Sequence, residues 1–152
     1  MKISLKLKIV LMFAVVIILG NLAMALYMPN VMKAKVLEAA HEKLRSDLSM
    51  TAAYLDEKYP GDWQIIDNQI YKGTEKLNDN HDVIDLIGSK TGGTVTVFQG
   101  DTRVATNVKM ADGKRAVGTQ VAAEVAKATL TEHHTYLGEA EVAGVVNQTI
   151  YE

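Results

Sequence analysis

Four histidines, eighteen acidic residues and no cysteine define the chemistry open to this 152-residue chain. His133-His134 is the only adjacent histidine pair, and neighbours in an extended chain point to opposite sides, which argues against a shared metal. His81 stands among Asn78, Asp79, Asn80 and Asp82, a set of oxygen donors that suggests a calcium loop. The EF-hand spacing, with its central glycine and closing glutamate, is missing, so a capped polar loop is the better reading. His41 falls on or beside an apolar helical stripe and reads as packing. Without cysteine neither disulfides nor thiolate zinc sites can form. No phosphate-cradling glycine loop, nucleophile elbow or zinc-protease helix occurs. The expectation is a protein that is not an enzyme and that needs no metal or cofactor.

The elements begin with a segment unlike the rest. No charged side chain occurs from Ile9 to Met32, and Lys2, Lys6 and Lys8 precede it. About 20 apolar residues at 1.5 Å rise span a ~30 Å hydrocarbon layer. The leading lysines put the N-terminus in the cytoplasm and the remainder outside. A basic start, an apolar run and Ala23-Met24-Ala25 also fit a cleaved signal peptide, although the run exceeds the usual ~7–15 residues. Either way the remainder is exported. The expected divisions are a cytoplasmic stretch over 1–8, a transmembrane helix over 9–28, a stalk helix over 29–60 and one domain over 61–152. Three of the sixteen basic residues precede the anchor, so the exported part carries 13 against 18 acidic ones, a net of −5. That surface argues against nucleic acid as a partner.

Leu37, Ala40, Leu44, Leu48, Ala52 and Leu55 recur at three or four residues and predict an amphipathic helix to about Tyr59, stopped by Pro60-Gly61. Trp63–Ile66 and Gln69–Tyr71 around Asp67-Asn68 read as a hairpin. Asn80 is a candidate N-cap for a short helix closed by Gly92-Gly93. Strands are expected over 94–99 and 102–108, then a helix from a Thr119 cap to about Leu130, then strands 135–142 and 145–151 around Ala143-Gly144. This order predicts an α+β fold, an antiparallel sheet with flanking helices. A strand ending at Glu152 leaves a bare edge, and the expectation is a domain incomplete at its C-terminus.

Asp62-Trp63, Tyr71-Lys72-Gly73, the block Thr91–Val108 (TGGTVTVFQGDTRVATNV), Gly113–Thr119 and Thr149–Glu152 together resemble the single Cache sensor domains of bacterial methyl-accepting chemotaxis proteins. The resemblance implies a PAS-like extracytoplasmic domain in the cell membrane, flanked by two membrane helices and followed by cytoplasmic signalling parts. It also implies a homodimer formed through the long helix, and a small organic acid or amino-acid-like ligand held between sheet and loops. A sensor histidine kinase carrying the same domain, or a protein-interaction module without a small-molecule pocket, remains open.

The resemblance puts Arg103 first among site residues. Related citrate and dicarboxylate sensor kinases carry an arginine at the matching strand position and a histidine three residues on; here Thr106 replaces the histidine. A guanidinium grips a carboxylate through two parallel hydrogen bonds and a hydroxyl can add a third. Strict alternation puts positions three apart on opposite faces, so a bulge or a strand end is required. The second basic residue of those kinases is replaced by the stretch Glu139-Ala140-Glu141-Val142. A monocarboxylate, or a zwitterion whose amine meets Glu141, therefore fits better than citrate. Phe98 and Tyr136 are expected in the pocket wall. Against this stands a solvated Arg103 paired with Asp101 or Glu141.

Overall fold

The computed structural model describes residues 4–152; Lys2, expected on the cytoplasmic side, lies outside the described residues. The chain divides into two units, the first up to Ala40 and the second His41–Glu152, described in turn. Helix α1 spans Leu5–Lys58. Its large apolar side chains from Ile9 to Leu26 are 45–68 % exposed. A helix that is apolar on all faces needs apolar surroundings that this unit does not itself supply. Asn21 and Asn30 turn their side-chain amides onto their own helix, donating to the carbonyls of Ile17 (2.8 Å) and Leu26 (3.3 Å). Those bonds satisfy side-chain donors within an otherwise apolar run. Among the described residues α1 alone is long and apolar enough to cross a membrane.

In the second unit, β1 (Trp63–Ile66) and β2 (Gln69–Lys72) form the expected hairpin. Asp67 and Asn68 both take positive φ, +49° and +59°, as the two-residue turn demands. A short β3 (Glu75–Lys76), not foreseen, adds a third strand. Helix α2 (His81–Thr91) starts where Asn80 accepts from the Val83 N–H (3.4 Å) and ends on left-handed Gly92. The oxygen-rich loop before it is occupied structurally. Asn78 accepts from the Ile70 N–H (2.7 Å), and Asn80 also donates to Glu75 (2.9 Å).

Among the described residues β4 (Thr96–Gln99) pairs only with β5 (Thr102–Thr106), and β6 (Tyr136–Val142) only with β7 (Val145–Tyr151). The β structure among the described residues is thus three small antiparallel sheets. Leu55 of α1, Leu77, Val83, Ile84 and Ile87 of α2, and Ala105 form the core, with Val95 and Val97 packed on it. One face of the β4–β5 hairpin is therefore committed to the helices. The other face is free to build a site.

Thr119 does not cap a helix, contrary to the sequence reading. Residues 118–121 instead lie along β5: Arg103 N–H donates to Thr119 O (2.9 Å), Gly118 N–H to Arg103 O (2.8 Å) and Val121 N–H to Asp101 O (2.8 Å). Satisfying the edge of β5 uses backbone that a helix would have needed, so α3 starts only at Ala123. It spans Ala123–Ala126 and widens into a π-helical turn, Lys127–Thr131. His133, at φ +53°, follows that turn, so the histidine pair lies at a helix end and not in extended chain. Among the described residues no three His, Cys, Asp or Glu side chains cluster to hold a metal.

Candidate ligand-binding cleft

Register explains how two residues three apart come to share a face. Thr96 pairs with Thr106 and Val97 with Ala105, but Phe98 pairs with Arg103, so Val104 is an extra residue in β5. That bulge resets the alternation. Thr96, Phe98, Arg103 and Thr106 fall on one face, opposite the core-facing Val97 and Ala105.

Arg103 is not a solvated strand residue. It is 2 % exposed. Its Nη1 donates to Thr119 Oγ1 (2.8 Å) and to Gln120 O (2.7 Å), while Nε is buried without a partner. Its guanidinium carbon lies 5.2 Å from the centre of the Phe98 ring. Among the described residues no carboxylate comes within ion-pair distance of it; Asp101 bonds Thr102 and Gln120 instead. A buried charge without a counter-charge carries a desolvation cost of several kcal/mol, about what a bound anion would offset.

Beside Arg103 opens a cleft of about 590 Å³, lined also by Met110, Thr119, Gln120, Val121, Glu124 and Glu141. The β6–β7 turn, Ala143-Gly144, forms part of its wall. A second cleft of about 370 Å³ lies between β4 and β7 over Leu44, Leu48 and Thr51 of α1. It runs between two strands that, among the described residues, have a ladder on one side only. The first cleft is the stronger candidate because it alone meets a buried, uncompensated cation.

The five residues singled out from the sequence are distributed unequally. Arg103 and Glu141 line the larger cleft, and Phe98 lies beneath the guanidinium. Tyr136 reaches this group only through Tyr151, whose ring is 6.3 Å from Tyr136 and 5.7 Å from Phe98, edge-on to both. Alternation along β6 puts Tyr136 and Glu141 on opposite faces. Thr106 shares the Arg103 face but is fully buried, its hydroxyl 2.7 Å from Thr96 Oγ1 and 3.1 Å from the Val108 N–H.

Tyr151, Thr119, Gln120 and Glu124 were not singled out from the sequence. Burial raises the Tyr151 phenol above its ordinary pKa, and the Arg103 charge pulls it back. A signal for Tyr151 existed, since a two-residue turn at Ala143-Gly144 fixes Tyr136 opposite Tyr151. Glu124 had none, because its place depends on where α3 starts.

An α+β domain whose bulged hairpin sets a buried arginine in the wall of a cleft is the class that fold and site define. The model of the single cache domain 3 family matches residues 75–152, just over half of the chain, and the chain belongs to that family. Cache domains are extracytoplasmic sensor domains that bind small molecules, and the family is in general not enzymatic. The match takes in the whole cleft and leaves out the β1–β2 hairpin. No curated protein and no solved structure matches the chain significantly.

Proposed function

We propose that this chain is the extracytoplasmic sensing part of a membrane chemoreceptor, anchored by α1, dimeric through its long helix, and binding a small carboxylate or zwitterion at Arg103. One observation carries the reading: Arg103 is buried without a carboxylate partner, with its Nε unpaired, in the wall of a ligand-sized cleft. Phe98 holds the guanidinium from below, and Glu141 offers a carboxylate to a ligand amine. Thr106, buried against Thr96, lines neither cleft and does not touch the ligand, and Tyr136 packs edge-on to Tyr151. Ligand binding shifts two pre-existing states of the helix joined to the domain. The chemoreceptor assignment is supported by the Thr91–Val108 block, which resembles chemotaxis receptors.

The test is thermal denaturation of the full chain in detergent against a panel of small acids and amino acids. At least one acid is expected to raise the midpoint, and Arg103→Met is expected to abolish the rise. A panel that is silent at millimolar concentration sinks the small-molecule reading. It would leave an interaction module, for which Trp63, Ile65 and Ile66, exposed on β1, are the natural surface.

A further inference from the structure

The charges around the cleft do not balance, and the imbalance narrows the ligand. Arg103 contributes one positive charge, while Glu124 and Glu141 contribute two negative ones. Neither glutamate has an ion-pair partner or a side-chain hydrogen bond among the described residues. The field of Glu124 reaches Tyr151, whose phenolate form it disfavours, so this carboxylate belongs to the same electrostatic neighbourhood as Arg103. The placement is graded by depth: the guanidinium is buried and both glutamates are exposed at the rim. Val121, Ala122 and Ala143 give the space between them apolar walls.

Resting on the reading of Arg103 as a carboxylate anchor, we infer that the cleft takes a diamino monocarboxylate. Such a molecule has one carboxylate to enter first and two amines on an alkyl spacer to meet Glu124 and Glu141. A plain monocarboxylate satisfies Arg103 and leaves two like charges at the mouth, which repel its own charge on approach. A monoamino acid removes one of those repulsions. A diamino acid, at net charge +1, brings the cleft to neutrality. Contacts at an exposed rim are each worth a small factor, so two of them give about a tenfold preference. That preference is screened by salt, whereas the contact with buried Arg103 is screened much less.

Titration calorimetry of the full chain in detergent with propionate, L-alanine, L-ornithine and putrescine tests this. L-Ornithine is expected to bind about tenfold more tightly than propionate, with L-alanine between them, and the advantage should shrink in 0.5 M salt. Glu124→Gln with Glu141→Gln, both at exposed positions where folding is not at stake, should bring ornithine and propionate together. Propionate binding as well as ornithine, with the glutamine pair silent, overturns the inference and leaves the carboxylate reading standing. If no acid binds, or only putrescine does, the anchor role of Arg103 falls and the inference falls with it.

Discussion

A buried arginine that lacks an acidic partner is a poor way to stabilise a domain and a good way to hold an anion. Removing its charge therefore has an unusual expected outcome. Arg103→Met keeps the aliphatic stem but removes the guanidinium, with its stacking on Phe98 and its two hydrogen bonds. Leaving Gln120 O unpaired costs about 1–2 kcal/mol, while Thr119 keeps its own bond to Ala116 O (2.7 Å). Releasing a buried charge returns several kcal/mol of desolvation. The variant should melt at or above the temperature of the parent chain while losing every acid-dependent shift. A loss of more than about 2 kcal/mol in urea titration would mean that Arg103 serves the fold and not a ligand.

Elements hold this site in place through a few contacts that single substitutions can break. A Cβ on Gly73, at φ +58°, would overlap the Pro60 carbonyl oxygen just past the end of α1. Gly92, at φ +70°, has open space around it. Gly73→Ala should thus cost about 2–4 kcal/mol and Gly92→Ala only about 1, a difference that paired urea melts resolve. Arg115 ties α2 to the loop after β5, donating to both oxygens of Asp85 (2.8 and 2.6 Å) and to Thr106 O (2.8 Å). Its hydrogen bond holds the Asp85 carboxyl below the usual carboxylate pKa. A depressed carboxylate contributes stability that is complete above the unfolded value, near 4, and is lost as pH falls through the folded one. Asp85→Asn should therefore flatten the acid limb of the stability curve below about pH 4 and leave the neutral region nearly parallel to the parent. The turns at Asp67-Asn68 and Ala143-Gly144, the Asn80 cap and the Gly92 stop were legible in sequence because each is set by residues that touch only their neighbours. Thr119 was misread for the opposite reason: a threonine before an apolar run looks like a cap until the edge of β5, sixteen positions back, claims its backbone. The bulge at Val104 could be required by argument but not located, since it is fixed by pairing with Phe98 across the hairpin.

At the scale of the whole molecule, an acidic sensing domain is joined in sequence to a helix whose run from Ile9 to Met32 carries no charge. Exposing the sixteen apolar side chains of Ile9–Leu26 to water is costly at ~25 cal/mol per Å², which makes α1 a candidate membrane span. Asn21 and Asn30 suit such a segment, their amides bonded to the carbonyls of Ile17 and Leu26. Membrane insertion is then a property that one charge near the middle of the run should weaken without touching the cleft. Ile17→Arg places a cation at the centre of the segment at a cost of about 2.5–3.5 kcal/mol on the translocon scale. In cell fractions the parent chain should stay with membranes through alkaline carbonate washing, with its second unit open to protease added from outside the cytoplasmic membrane. The double variant Val16→Arg, Ile17→Arg should move into the soluble fraction or be degraded. A parent chain that washes free, or one protected from external protease, would show that α1 is no anchor or that the domain lies on the other side. The ligand chemistry argued for Arg103 would then need a cytoplasmic source.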